Sequence, residues 1–192
     1  MFQYFAVYKP YQYLSQFSKE KNTDLTLADL FDFPKDVYPV GRLDKDSEGL
    51  LFLTNDPSIN DSLLNPKNNK VKKYLVQLDG EINPIAIGKL EQGVEINVDG
   101  KKYKTLASKV KLISDLIHLP DRNPPIRIRK NIPTTWIELS INEGKNRQVR
   151  KMCSAVGFPV LRLIRTAIGK YSLAPLENLA VIKITKNEML AL

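Results

Sequence analysis

A chain of 192 residues, 43% of them hydrophobic, can bury about two-thirds or more of its unfolded surface, so it needs no disulfide or metal staple to hold a core. Its 29 Lys and Arg against 21 Asp and Glu leave a net charge of +8, which points to a polyanionic partner and leaves RNA, DNA and an anionic membrane open. The chain has no apolar run long enough to span a membrane, and its start, Met1-Phe2-Gln3-Tyr4-Phe5, carries neither the basic region nor the apolar stretch of a signal peptide; a cytoplasmic protein is the expectation.

Tyr4 to Tyr8 reads as a strand that Lys9-Pro10 stops, because proline removes a ladder donor and restricts the residue before it. Thr23-Asp24 ahead of Leu25, Leu27, Ala28, Leu30 and Phe31 predicts a short capped helix ended by Phe33-Pro34. Leu50 to Thr54 is a continuous apolar run, better as a strand covered on both faces than as a helix. Asp56-Pro57 supplies an N-cap and a first-turn proline for a helix reaching about Asn65. Lys73 to Gly80 predicts a strand with Tyr74, Val76 and Leu78 on one face, and Pro84 to about Gln92 a helix that Gly93 stops.

Lys104 to Ile113 and Thr134 to Ile141 both have strand character, whereas Pro120 to Pro133 is proline-rich, basic and unable to continue a sheet. His118, the only histidine, lies in the apolar stretch Leu116-Ile117-His118-Leu119 and reads as having no catalytic task. After Gly144, Val149, Met152, Cys153 and Val156 recur at helical spacing up to Gly157-Phe158-Pro159, with Arg147, Arg150, Lys151 and Ser154 on another face. Cys153 is the only cysteine, so an intramolecular disulfide and a Cys-based metal site are excluded, and any general base is expected to be a carboxylate. Val160 to Arg165 reads as a further strand. With no repeat or flexible linker, these alternating elements predict an α+β fold with a mixed, largely antiparallel sheet.

The segment Gly41-Arg42-Leu43-Asp44-Lys45-Asp46-Ser47-Glu48-Gly49-Leu50-Leu51 places a carboxylate between Arg42 and Lys45 where a loop gives way to an apolar run. Asp44, Asp46, Glu48 and Gly49 match the opening of a calcium-binding EF-hand loop, but the position that needs a bidentate Glu holds Asn55 and a strand-like run takes the place of the second half. A metal-dependent nuclease built on the three acids, and a loop-capping role for Asp44, are the other readings of the residues alone.

This motif resembles that of the pseudouridine synthases of the RsuA/RluB/RluE/RluF type. Three further blocks are similar in the family's order: Lys70-Val71-Lys72-Lys73-Tyr74-Leu75-Val76, Glu143-Gly144-Lys145-Asn146-Arg147-Gln148-Val149-Arg150-Lys151-Met152, and Leu161-Arg162-Leu163-Ile164-Arg165-Thr166-Ala167-Ile168-Gly169. The resemblance implies the family's catalytic fold: two α+β halves sharing one mixed, mostly antiparallel sheet, with an RNA-binding cleft across its middle. It implies a single catalytic domain over residues 1–192 with no S4 RNA-binding domain before it. It further implies Asp44 as the nucleophile on a flipped-out uridine, Arg150 as its ion-pair partner, Tyr74 against the flipped base, and Arg42 as an aid to flipping.

Lys73, Lys145, Arg147, Lys151 and Arg165 are implied as RNA contacts and Leu163 as packing near the active site. The chemistry is an isomerisation that calls for no metal and no organic cofactor. The loop from Arg122 to Trp136, with Arg127, Arg129 and Lys130 on a proline-stiffened backbone, is similar to an insert of the RluE-type subgroup, which implies one uridine of large-subunit (23S) ribosomal RNA as the target. The same chemistry on small-subunit ribosomal RNA, or a non-catalytic ribosome-assembly factor, is the alternative. Ribosomal RNA is the expected partner, with no membrane, no obligate protein partner and a monomeric chain.

Overall fold

Residues 1–114, 119, 121–126, 132–174 and 180–190 are described by a computed structural model, in which the chain divides into two units, Met1–Lys70 with Ile164–Leu192, and Val71–Leu163. Arg127, Arg129, Lys130 and His118 lie outside the described residues.

Unit 1 opens with β1 (Tyr4–Lys9), β2 (Tyr38–Val40), β3 (Glu48–Thr54) and α1 (Ser58–Leu64). β3 pairs antiparallel with β1, from Tyr4 opposite Thr54 to Lys9 opposite Gly49, and with β2. Side chains on a strand alternate between faces, so β1 and β3 feed two separate apolar clusters. Ala6, Leu50 and Phe52 join Val40, Ile59 and Leu63 on one side, and Phe5, Val7, Leu51 and Leu53 join Leu27, Phe33, Val37 and Leu43 on the other. All seven residues of β3 are consequently buried, as its continuous apolar run requires.

The expected helix after Thr23-Asp24 is instead a single 3₁₀ turn, Leu27–Asp29, capped by Thr26. Leu25 cannot enter a helix because it bridges Tyr13, with the Leu14 N–H donating to its carbonyl. The Asp24 carboxylate accepts from the Lys21 N–H and from Lys45, so it is engaged away from any helix start.

Unit 2 holds β4 (Lys72–Asp79), α2 (Pro84–Gln92), β5 (Glu95–Val98), β6 (Lys101–Lys104), β7 (Lys109–Ile113), β8 (Thr134–Ile141) and α3 (Gln148–Ala155). β8 pairs antiparallel with β4 and β7, and β5 with β6. Tyr74, Val76 and Leu78 of β4 and Ile137, Leu139 and Ile141 of β8 form one apolar core with Ala86 and Leu90 of α2 and Val149, Met152 and Cys153 of α3. Asn83 caps α2 by accepting from the Ala86 N–H, and Gly93 ends it at φ +84°, where a Cβ would lie 2.2 Å from the Thr105 carbonyl oxygen.

Two expectations change here. The stretch from Lys104 to Ile113 is two strands rather than one, because residues 105–108 turn their N–H groups elsewhere: Thr105 to the Val94 carbonyl, Leu106 to Glu143 and Ser108 to the Glu91 carbonyl. Arg147 also stands before α3 in a left-handed conformation, φ +53°, so the cationic stripe on the helix itself reduces to Arg150 and Lys151.

β9 (Val160–Ile168) begins in unit 2, where the Asp79 N–H donates to the Pro159 carbonyl just ahead of it, and ends in unit 1 parallel to β3, with Glu48 opposite Ile164 and Gly49 opposite Arg165. β10 (Tyr171–Ser172), β11 (Val181–Ile184) and α4 (Lys186–Met189) complete unit 1, β11 running antiparallel to β1. The fold is α+β with mixed pairing. Among the described residues no helix is long and apolar enough to cross a membrane.

Candidate active site

The loop that carries Asp44 is held on both sides of that residue. Gly41 turns the chain at φ +72°, and the Ser15 hydroxyl both donates to the Leu43 carbonyl, at 2.8 Å, and accepts from the Leu43 N–H, at 3.0 Å. Beyond Asp44, the Gln12 N–H donates to the Lys45 carbonyl and the Ser47 N–H to the Asp44 carbonyl. Leu43 is buried in the apolar cluster below, while Asp44 is half-buried and Arg42 and Lys45 are exposed. A buried leucine between two polar neighbours fixes which way the turn faces. Arg42 donates to the Gln16 side-chain oxygen at 3.1 Å, and Lys45 pairs with Asp24 at 2.5 Å.

β3 begins at Glu48, buried and bonded to the Tyr8 hydroxyl at 3.0 Å. Gly49 follows at φ +104°, and a Cβ there would lie 2.3 Å from the Arg165 carbonyl oxygen, so only glycine lets β9 approach. Lys9, Gly49 and Arg165 form one cross-strand row. Lys9 and Arg165 therefore flank a residue without a side chain.

Lys9 is fully buried, its ammonium donating to the Pro10 carbonyl at 2.9 Å and the Tyr13 carbonyl at 2.8 Å. Burial pushes its pKa down to about 7, against the attraction of Glu48, Asp46 and Asp44, with the neighbouring Arg165 adding to the depression. The acidic turn thus faces an internal cation. Arg165 is 5% exposed, with its Nε donating to the Leu50 carbonyl at 2.8 Å. Among the described residues no group of three His, Cys, Asp or Glu is placed to hold a metal ion.

In unit 2 the carboxylate of Glu143 is buried and accepts three hydrogen bonds, from the Tyr103 hydroxyl, the Leu106 N–H at 2.8 Å and the Gln148 side-chain amide at 2.5 Å. The bond to Glu143 raises the pKa of the Tyr103 phenol. Gln148 is buried and uses its other end to accept from the Lys145 N–H at 2.9 Å. Residues 144–147, exposed throughout, form a turn closed at its base by these bonds. Lys145 stacks its ammonium 5.0 Å from the centre of the Tyr103 ring.

Arg150, half-buried on α3, donates to the Val160 carbonyl at 3.4 Å. Lys151 is half-buried on the same helix. Tyr74 and Leu163 are buried in one cluster, and Lys73 lies 3.9 Å from Glu138. Asp44, Arg42 and Arg165 thus belong to unit 1, and Lys73, Tyr74, Lys145, Arg147, Arg150, Lys151 and Leu163 to unit 2.

Two participants carried no assignment from sequence. Lys9 read only as a strand end, although a lysine on the same face as Phe5 and Val7 is a signal in itself. Tyr103 became visible only through its long-range partner Glu143, and Glu48, read from sequence as one of three acids that could hold a metal, is bonded instead to the Tyr8 hydroxyl.

A family model described as RNA pseudouridylate synthase matches residues 3–155. The chain is 48% identical over 169 residues to ribosomal large subunit pseudouridine synthase E of Vibrio parahaemolyticus, an overlap of 88% of this chain and 68% of that one. It is 46% identical over 166 residues to the protein of the same name from Xanthomonas axonopodis pv. citri, covering 86% and 85%. A crystal structure of a pseudouridylate synthase superposes with a TM-score of 0.77 at 26% identity over 98% of this chain and 73% of that one. The family match runs from β1 through α3 and so takes in both the Asp44 turn and the Glu143–Arg150 segment; the chain belongs to the RNA pseudouridylate synthase family and is an RNA-modifying isomerase.

Proposed function

We propose that this enzyme converts a uridine of large-subunit 23S ribosomal RNA to pseudouridine, with Asp44 as the nucleophile. The observation that carries the assignment of Asp44 is the construction of its loop: the backbone is bonded on both sides of it, while the side chain stays half-exposed at the rim of a buried charge cluster. A carboxylate held this way loses little freedom on meeting a substrate. The large-subunit target is supported by the two relatives named synthase E, at 48% and 46% identity.

In the reaction the target uridine leaves its stack. Asp44 attacks the nucleoside, the bond from N1 to C1′ breaks, the uracil turns, a bond forms from C5 to C1′, and the bond to Asp44 breaks to regenerate the carboxylate. The proton then leaves C5 while N1 gains one, so the product is an isomer and nothing is consumed. Arg150 is assigned to catalysis, Tyr74 packs against the displaced base, Leu163 packs near the active site, and Arg42 assists flipping. Lys73, Lys145, Arg147 and Lys151 bind RNA, together with Arg127, Arg129 and Lys130. Arg165 belongs to the same set of RNA contacts. The enzyme works as a cytoplasmic monomer without a cofactor.

Asp44→Asn tests the assignment, because it keeps the volume of the side chain and removes its charge. Pseudouridine formation, followed as tritium release from C5-labelled 23S ribosomal RNA with excess enzyme, is expected to vanish while folding and RNA binding persist. A variant retaining more than about a tenth of the wild-type rate, about 1.4 kcal/mol in the barrier, would overturn it. Carbodiimide mapping of ribosomal RNA from cells with and without the protein identifies the target; a change confined to small-subunit RNA would reassign it.

A further inference from the structure

The turn at residues 144–147 is tied to an element that the sequence motifs do not include. Tyr103 sits on β6, the second strand of the hairpin formed with β5, and reaches the turn in two ways. Its hydroxyl donates to Glu143, immediately before the turn, and its ring lies under the Lys145 ammonium at 5.0 Å. The Lys145 backbone is fixed independently, since its N–H donates to Gln148, whose amide donates in turn to Glu143. The whole arrangement hangs on one carboxylate that is 7% exposed, a group that is costly to bury unless its oxygens are fully bonded.

We infer that Tyr103 is a positioning residue for RNA binding: it holds the Lys145 ammonium over its ring, on a turn braced by Glu143 and Gln148, where the side chain meets RNA phosphate. This inference rests on the reading of Lys145 and Arg147 as phosphate contacts. A lysine otherwise gives up much rotamer freedom on binding, and a ring beneath its ammonium removes part of that freedom beforehand. Tyr103 does this without touching RNA. The same bond that orients its ring, hydroxyl to Glu143, ties the orientation to the brace of the turn.

The test is a double-mutant cycle on full-length protein, read as the Kd for 23S ribosomal RNA transcribed in vitro at fixed salt, with the melting temperature of each variant recorded. Lys145→Ala and Arg147→Ala each are expected to weaken binding several-fold. Tyr103→Leu is expected to weaken it about threefold to tenfold, the range of a cation–π contact. In the Lys145→Ala background, Tyr103→Leu should add less than twofold. Tyr103→Phe, which keeps the ring and loses the hydroxyl, should fall between wild type and Tyr103→Leu.

If Tyr103→Leu and Lys145→Ala multiply, or if Tyr103→Leu weakens binding only in proportion to a lost melting temperature, the inference fails while the phosphate reading stands. If neither Lys145→Ala nor Arg147→Ala changes Kd, the phosphate reading itself fails and the inference with it.

Discussion

Lys9 shows how one side chain can link stability to the site. Its ammonium has no exposed surface, donates to two carbonyls, and is surrounded by Glu48, Asp46 and Asp44 on one hand and Arg165 on the other. Because burial lowers its pKa to about 7, the folded chain binds fewer protons at Lys9 than the unfolded chain between that pH and the ordinary lysine value. Stability at this residue therefore rises with pH across that window and is poorest below it. Lys9→Met has no such dependence. Denaturant unfolding of both proteins from pH 6 to pH 9 should show the variant gaining on wild type at the acid end and losing that advantage toward the alkaline end, by a few kcal/mol at most. A difference flat in pH would mean that Lys9 titrates as an ordinary lysine. Asp44 could be read from its motif, but Lys9 could not, because its partners at residues 44–48 meet it only through the register of β1 against β3.

Elements were legible where local chemistry agreed with tertiary demand. α2 begins at Asn83-Pro84 and ends at Gly93 because cap, proline and glycine all act within a few residues of the helix. The same holds for the apolar run of β3. Where a distant partner claims the backbone, the local reading gave way. Leu25 was drawn into a bridge with Tyr13 and Leu106 into a bond with Glu143, neither of which propensity can report.

α1 lies between these cases: Asp56 and Pro57 were expected as its cap and first residue, whereas the helix starts at Ser58 with Pro57 in the cap position and no side-chain cap, and the wider role of Asp56 was not visible. The buried carboxylate accepts from the Ser58 N–H and hydroxyl, from Tyr4 of β1 at 2.8 Å and from Lys186 of α4 at 2.8 Å, so one residue joins three elements of unit 1. The hydrogen bonds from Lys186 and Ser58 hold its pKa far below the ordinary aspartate value. A depressed carboxylate stabilises the fold above its unfolded pKa of about 4, and that contribution is lost as pH falls below it. Asp56→Asn should cost about 1–3 kcal/mol at pH 7. It should also flatten the acid limb of the stability curve below pH 4; an acid limb as steep as that of wild type would place the acid sensitivity elsewhere.

At the scale of the whole molecule the governing quantity is a net charge of +8 on 192 residues. RNA binding by such a chain releases counterions, so the logarithm of the binding constant should fall linearly with the logarithm of salt concentration, with a slope set by the number of phosphates neutralised. The sequence segment from Arg122 to Lys130 contributes four cations and no acid. Each phosphate contact contributes roughly 0.7 to 0.9 to the slope. Replacing Arg127, Arg129 and Lys130 together by Ala should therefore weaken binding to 23S ribosomal RNA and reduce the slope by about 2 to 3. The single-turnover rate at saturating enzyme should stay close to wild type, because these side chains are assigned to docking rather than to the bond changes at the uridine. An unchanged slope would remove all three from the RNA interface, and with them the basis in sequence for treating this loop as the arm that selects the substrate. A reduced slope with a collapsed saturating rate would instead make the loop part of the chemistry, since weaker docking alone disappears when enzyme is in excess.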